Sequence, residues 1–313
     1  MHLFITALLF LFGLVLIVKG GDWFVDAATW MARVTGIPNF IIGATVVSIA
    51  TTLPELLVSL VAAAQGKVDM AVGNAVGSVT ANTGLILGIS LIFLPGMMKR
   101  KELIPKALLL IASCAGLWWL CSAGGVSMPL GLVLFVILGL YFAENIRSGK
   151  SNAQQQKGER PQKAEAGKNI LLFVVGAAAI VVGANLLVNN GSELARLFGV
   201  PEKIIALTFV AIGTSLPELV TTITAIAKKQ GSLSVGNIIG ANIIDLTLIL
   251  PLCGVVSGGT LPVSAQTYLL DLPVALILTL IAMLPAMITG KFRRWQGAVL
   301  VAGYAAYLLV LVL

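Results

Sequence analysis

One internal match constrains this chain more than any other feature. Slid against itself by 163 residues, segment 13–87 aligns with 176–250 without a gap, and 28 of the 75 positions are identical. The matches are not those that apolar composition alone would give. Gly13, Gly20, Arg33, Gly36 and Pro38 meet Gly176, Gly183, Arg196, Gly199 and Pro201. Thr51, Leu53, Pro54 and Glu55 meet Thr214, Leu216, Pro217 and Glu218, and Gly73, Asn74 and Gly77 meet Gly236, Asn237 and Gly240. Compositional bias does not hold Pro, Glu, Asn and Gly in register, so the chain is a duplication.

The surroundings of the repeated motif are apolar. Of 313 residues, 58% are hydrophobic and 11% charged, with mean hydropathy +1.02. A soluble domain carries about 25% charged residues. Several apolar runs reach the roughly 20 residues that cross a bilayer as helix, and the alternating strands of a membrane β-barrel are not seen. The fold class expected is an all-α integral membrane protein with ten spans. They are placed at 3–18, 38–64, 70–96, 105–121, 128–143, 168–189, 201–227, 233–256, 265–288 and 297–313. The apolar start, 3–18, lacks a basic flank and a small-residue cleavage site, so it reads as the first span and not as a signal peptide.

Five spans per repeat is odd, so the second copy must enter the membrane from the opposite side. The charges agree. Assigning loops alternately puts 17 of the 20 basic residues on one side, leaving Lys67, Arg196 and Lys203 on the other. Cytoplasmic loops are the basic ones, which places both termini outside, in a cell inner (plasma) membrane. The +7 net charge is thus a topology signal, not a nucleic-acid footprint. The units expected are a first five-helix repeat, 1–146, a flexible cytoplasmic linker, 147–168, and a second five-helix repeat, 169–313. The three cysteines, Cys114, Cys121 and Cys253, sit in or at the ends of apolar runs and read as buried thiols.

Pro54 and Pro217 break their spans. Proline has no N–H and crowds the carbonyl four residues back, which frees the carbonyls of Ala50 and Gly213. Irregular backbone at membrane depth is tolerated only against protein or a cavity. These carbonyls, the hydroxyls of Thr51, Thr52, Thr214 and Ser215, and the carboxylates of Glu55 and Glu218 make an all-oxygen cluster suited to hard cations such as Ca²⁺ and Na⁺. A second reading stays open: Thr52-Leu-Pro-Glu55 and Ser215-Leu-Pro-Glu218 fit a helix capping box. Against it, a glutamate at membrane depth costs at least about 2.5–3.5 kcal/mol, and glutamine would cap as well.

The next span carries Asn74, Ser78 and Asn82 on one helical stripe, matched by Asn237, Ala241 and Asp245. Gly73, Gly77, Gly236 and Gly240 allow close helix packing. Asp245 is a third intramembrane acid. Two glutamates already neutralise a divalent cation, so Asp245 is expected to keep its proton when Ca²⁺ is bound.

At these residues the sequence resembles the sodium/calcium exchanger family. Its signature is a G-T-S-x-P-E string followed by G-N-x-x-G-S-N-x-x-[ND]. Here the two copies lie within 43–84 and 206–247, beginning their strings at Ala50 and Gly213 and ending on Asn82 and Asp245. The short linker resembles prokaryotic members. The resemblance implies inverted five-helix repeats and antiport of Na⁺ against Ca²⁺ by alternating access. It implies a central Ca²⁺ site on Glu55 and Glu218, completed by Asn82 and Asp245. Flanking Na⁺ sites would use the hydroxyls of Thr51, Thr52, Thr214, Ser215 and Ser78 and the backbone carbonyls of Ser48 and Ala211. Four positions depart from the pattern: Ala50 replaces glycine, Thr52 serine, Val79 asparagine and Ala241 serine. The last removes a hydroxyl that would contact Na⁺. Proton-coupled relatives carry glutamate where Gly77 and Gly240 stand here.

Other classes fit poorly. The only histidine is His2, so intramembrane serine-protease and HExxH chemistry are absent, and no Walker loop is present. No enzymatic activity and no cofactor are expected; the partners are Ca²⁺, Na⁺ and lipid, with no nucleic acid. The alternatives kept are coupling to H⁺ or K⁺, and a passive cation channel. A channel sets its filter on an axis between subunits, whereas this chain carries both halves of its site and should work as a monomer.

Overall fold

A computed structural model describes residues 2–96, 98–123, 125–155, 163–199 and 213–312. The chain is helical almost throughout. Helix α1 (His2–Thr35) stops at Gly36, whose φ of +69° is a left-handed helix terminus. The next span is split into α2 (Asn39–Thr51) and α3 (Leu53–Ala64), which meet at 43°. After it come α4 (Val68–Phe93), α5 (Arg100–Leu120) and α6 (Met128–Gln155). The second repeat starts with α7 (Lys163–Leu197), which ends at Gly199 with φ +76° just as α1 ends at Gly36. It continues through α8 (Leu216–Ala227), α9 (Gly231–Val256), α10 (Thr267–Thr289) and α11 (Arg294–Val312).

Apolar burial orders these helices. The centre is α4 and α9, the most completely buried of the spans, while α1 and α7 lie outside with Phe4, Leu8, Phe12, Leu171 and Val174 exposed in the manner of lipid-facing residues. The α1–α7 contact is very close. A Cβ on Gly13 would lie 2.9 Å from the Gly183 carbonyl oxygen, and one on Gly176 2.8 Å from that of Gly20. Gly13 meeting Gly183 while Gly20 meets Gly176 makes the helices antiparallel. The same glycines recur at the 163-residue offset, so each contact is the image of the other. A second close approach holds α9 on α2, where Gly236 packs on the Phe40 carbonyl and Gly240 on Ser48. Around Gly73 and Gly77 no described atom comes within 4 Å of an added Cβ; the counterparts of Phe40 and Ser48 are residues 203 and 211, outside the described residues.

The structure differs from the sequence reading at several helix limits, and the described residues cover only part of the ten spans expected. Among the described residues, eight helices are long and apolar enough to cross a membrane, or nine with the bent α2–α3 pair. The span placed at 201–227 is seen only as α8, because 200–212 lie outside the described residues. The first span is not 3–18: α1 runs on for 34 residues, about 50 Å at 1.5 Å per residue, so Lys19 is within a helix and not in a loop. Lys106 is likewise inside α5 and fully buried. Its ammonium donates to the Glu102 carbonyl at 3.3 Å and lies 5.4 Å from the Phe40 ring centre. The linker 147–168 is largely helix, since α6 extends to Gln155 and α7 begins at Lys163.

Two short strands complete the fold, β1 (Gly125–Ser127) and β2 (Thr260–Pro262), paired antiparallel with Val126 opposite Leu261. The sequence had offered no strand. All three cysteines are free and buried, as expected.

The glycine contacts yield a direct test. Gly176→Val would drive side-chain atoms into the α1 backbone, and overpacking of this kind costs about 1–3 kcal/mol. Its melting temperature in detergent should fall by several degrees. Gly139→Ala, with open space around it, should leave the melting temperature unchanged or slightly raised.

Candidate cation-binding site

The two breaks have nearly identical backbones. Thr52 has φ −83° and ψ −3°, Ser215 has φ −86° and ψ 7°, and each is followed by a proline in the first helical turn. Neither side chain makes a capping hydrogen bond. The capping-box reading is therefore set aside: the Thr52 hydroxyl instead crosses to the other repeat and donates to Glu218 Oε1, a long bond at 3.5 Å. Glu55 and Glu218 sit in the first turns of α3 and α8, where helix N-termini favour anionic groups.

A second pair of contacts also crosses between the repeats. Thr51 Oγ1 donates to Asn237 Oδ1 at 3.2 Å, and Thr214 Oγ1 donates to Asn74 Oδ1 at 3.1 Å. Each is again the other displaced by 163 residues in both partners. Asn74 Nδ2 further donates to Ser59 Oγ at 2.9 Å and to the Glu55 carbonyl at 3.3 Å, which ties α4 to the turn that bears the carboxylate. The threonine hydroxyls thereby keep their oxygen lone pairs free.

Within this frame the acids are short of partners, and Glu218 keeps only the long Thr52 bond to Oε1. Glu55, Glu218 and Asp245 are 1%, 0% and 0% exposed. Both carboxylate oxygens of Glu55, both of Asp245, Glu218 Oε2, the Asn82 amide and Ser215 Oγ are buried with no hydrogen bond. The three carboxyl groups lie within electrostatic reach of one another. Among the described residues no lysine or arginine pairs with any of them. Buried polar atoms are normally satisfied, so this concentration of orphaned oxygens would suit a positively charged guest.

Asn82 and Asp245 each open a π-helical turn, Asn82–Leu87 and Asp245–Ile249. Such widened turns are rare and gather at functional sites, because they shift the ladder and re-aim a side chain. A third, Gly43–Val47 in α2, precedes Ser48, and its Ala44 carbonyl accepts a hydrogen bond from the buried Tyr141 hydroxyl. Tyr141 had no place in the sequence reading. Its signal lay just beyond the compared window, since Tyr304 stands 163 residues further on.

Of the residues singled out, the structure gathers Thr51, Thr52, Glu55, Ser215 and Glu218 around the breaks, with Thr214 half-buried at the edge and Asp245 close to Glu218. Ser48 and Ser78 are buried on the same helices; the Ser48 carbonyl already accepts from Thr51 Oγ1 at 3.4 Å. Ala50 and Gly213 flank the breaks, whereas Ala211 lies outside the described residues. Among the described residues no three His, Cys, Asp or Glu side chains form a closed metal cluster. The donor set is carboxylates supplemented by neutral hydroxyl and amide oxygens, which suits Na⁺ and Ca²⁺ and not a resident transition metal.

Long helices packed antiparallel, with buried carboxylates just after two prolines at membrane depth, fit a membrane transporter for inorganic cations. The family model for the sodium/calcium exchanger protein matches residues 5–146 and 168–313, and the chain belongs to that family. It is 33% identical to the sodium/calcium exchanger MaX1 of Methanosarcina acetivorans over 98% of each chain. It is 35% identical to the inner membrane protein YrbG of Escherichia coli K12, over 98% of this chain and 96% of that one. Among solved structures it resembles the sodium-calcium exchanger NCX_Mj soaked with Na⁺ and Sr²⁺, with TM-score 0.83 and 30% identity over 97% and 98% of the two chains.

The hydroxyl geometry separates structure from binding. Thr52→Ala and Ser215→Ala remove no cap, so the loss of about 0.5–2 kcal/mol that a lost cap brings should be absent and the melting temperature unchanged. The same variants should weaken Ca²⁺ binding, measured by calorimetry.

Proposed function

We propose that this chain moves Ca²⁺ against Na⁺ by alternating access, with Glu55 and Glu218 as the shared carboxylates for which the two ions compete. The observation that carries this reading is the set of buried carboxylate oxygens without partners, two from Glu55 of the first repeat and three from Glu218 and Asp245 of the second. Ca²⁺ takes six to eight oxygens. Two glutamates balance its charge, and Asn82 and the neutral form of Asp245 complete the centre. Na⁺ ions take the flanks, at Thr51 with the Ser48 carbonyl and at Thr214 with Ser78 and the Ala211 carbonyl, Thr52 and Ser215 bridging to the carboxylates. With the site empty, facing carboxylates repel; loading with cations removes the repulsion and lets the helices move past one another.

The ten-span, inverted five-plus-five arrangement is part of this proposal. It is supported by the Gly13–Gly183 and Gly20–Gly176 contacts and by the two Thr–Asn pairs, each set of which a two-fold axis in the membrane plane would generate. With Lys19 and Lys106 set aside, the remaining basic residues still divide fifteen to three between the two sides, which favours both termini outside an inner membrane. Because one chain holds both halves of the site, we take the monomer as the working unit.

Reconstituted in vesicles, the protein should take up Ca²⁺ when an outward Na⁺ gradient is imposed and not under a proton or K⁺ gradient alone. Glu55→Gln and Glu218→Gln should each lower uptake by at least about 100-fold, since removing a desolvated charge partner costs about 3–5 kcal/mol. Uptake unchanged in both variants would refute the assignment. Asp245→Asn should retain Ca²⁺ binding. Ala241→Ser, which restores the missing hydroxyl, should lower the Na⁺ concentration needed for half-maximal competition.

A further inference from the structure

The two repeats are not packed alike. On α1, a Cβ at Gly21 would lie 2.6 Å from Thr224 Oγ1 and 3.1 Å from Val220 Cγ1, so α1 presses directly on α8. The equivalents 163 residues away are Ala184 on α7 and Val61 and Leu57 on α3. There the helices stand apart around a cavity of about 260 Å³ lined by Pro54, Val58, Asn74, Ala184, Asn185 and Thr214. The paired threonines and asparagines follow suit: Thr51 and Asn237 are 3% and 0% exposed, whereas Thr214 and Asn74 are half-buried. The α1–α8 face is closed, whereas the α7–α3 face holds a cavity that extends to Asn74 and Thr214.

Charge follows the same asymmetry. At the sealed face the Lys228 ammonium lies 2.7 Å from Asp26 Oδ1 and 3.3 Å from Asp22 Oδ1, and it donates to the Asp22 carbonyl at 3.3 Å. At the 163-residue offset the two aspartates become Asn185 and Asn189, and the lysine becomes Gln65. Among the described residues Asn185 bonds only within its own helix, to the Val181 carbonyl at 3.0 Å, and no hydrogen bond joins Gln65 to α7. One face thus joins the outer helix of one repeat to the end of the other repeat's broken span with ions. The other places neutral amides at the same three positions.

We propose that Lys228, Asp22 and Asp26 form a latch that holds the α1–α8 face closed, and that the neutral Asn185, Asn189 and Gln65 leave the opposite face free to open. The latch presupposes the alternating access proposed for this chain. Two faces built from equivalent elements would otherwise open with similar ease, and charge on one alone biases that equilibrium. The three side chains remain partly exposed, which keeps the latch weak enough to release within a transport cycle.

The test uses equivalent reporters. Thr221→Cys on the sealed face and Val58→Cys in the cavity are related by the 163-residue offset, and the native cysteines are buried. In detergent without Na⁺ or Ca²⁺, a polar maleimide should modify Val58→Cys faster than Thr221→Cys. Lys228→Gln, or Asp22→Asn with Asp26→Asn, copies the neutral repeat and should speed Thr221→Cys labelling about two- to fivefold without changing Val58→Cys. Lys228→Asp combined with Asp26→Lys should restore slow labelling. In the reverse direction, Gln65→Lys with Asn185→Asp and Asn189→Asp should slow Val58→Cys.

Unchanged Thr221→Cys labelling in the neutral variants overturns the latch, as does an equal rise at both reporters. The latch and the exchange can fail separately. A responsive reporter in a protein without Na⁺-driven Ca²⁺ uptake keeps the latch and removes the exchange; an unresponsive one in an active protein does the opposite.

Discussion

The structure depends on a pair of carboxylates that the protein itself does not neutralise. Glu55 and Glu218 are buried in the first turns of two half-helices, with orphaned oxygens and no lysine or arginine pairing with them among the described residues. Each ion withdrawn from water costs several kcal/mol even after relaxation, so a sequence that buries two acids side by side must offset that cost from outside. Hard cations do so. The surrounding features serve this arrangement: proline breaks set the two carboxylates at helix N-termini, threonine–asparagine pairs fix the neutral oxygens beside them, and π turns begin at Asn82 and Asp245.

Duplication supplies geometry that one repeat could not. A single copy carries one glutamate and half of each Thr–Asn pair, and its long outer helix has no antiparallel partner. Two copies bring the glycines of α1 and α7 together so closely that backbone meets backbone, and dispersion across such an interface replaces the hydrophobic drive that lipid removes. The site and the scaffold thus share one symmetry, and departures from it carry information. Charge at Asp22, Asp26 and Lys228 against amides at Asn185, Asn189 and Gln65 is one departure; Ser78 against Ala241 is another.

Much of this was legible in the sequence, and for a physical reason. Pro, Glu and Asn are costly in a membrane, so their recurrence at one fixed offset located both breaks and the carboxylates. Helix extent was harder to read. Lys19, Asp22 and Asp26 look like a loop in a hydropathy profile, yet two of them find a cation on α8 and the helix simply continues. Lys106 misled in the same way, since its ammonium is held by the Glu102 carbonyl and the Phe40 ring. The capping motif was a true pattern with the wrong outcome: Thr52 fits a cap in sequence but turns toward Glu218 of the other repeat, a partner 166 residues away. The π turns left no periodic trace, because a single shifted hydrogen bond does not alter the spacing of apolar residues.

The central claim is that Na⁺ and Ca²⁺ occupy the same carboxylates in turn. Equilibrium Ca²⁺ binding to the purified protein, titrated with Na⁺ at constant ionic strength, measures this without any membrane gradient. The account predicts that Na⁺ raises the apparent Kd for Ca²⁺ steeply, with more than one Na⁺ needed to displace each Ca²⁺. Ca²⁺ binding that is indifferent to Na⁺, with choline as the balancing cation, would contradict it.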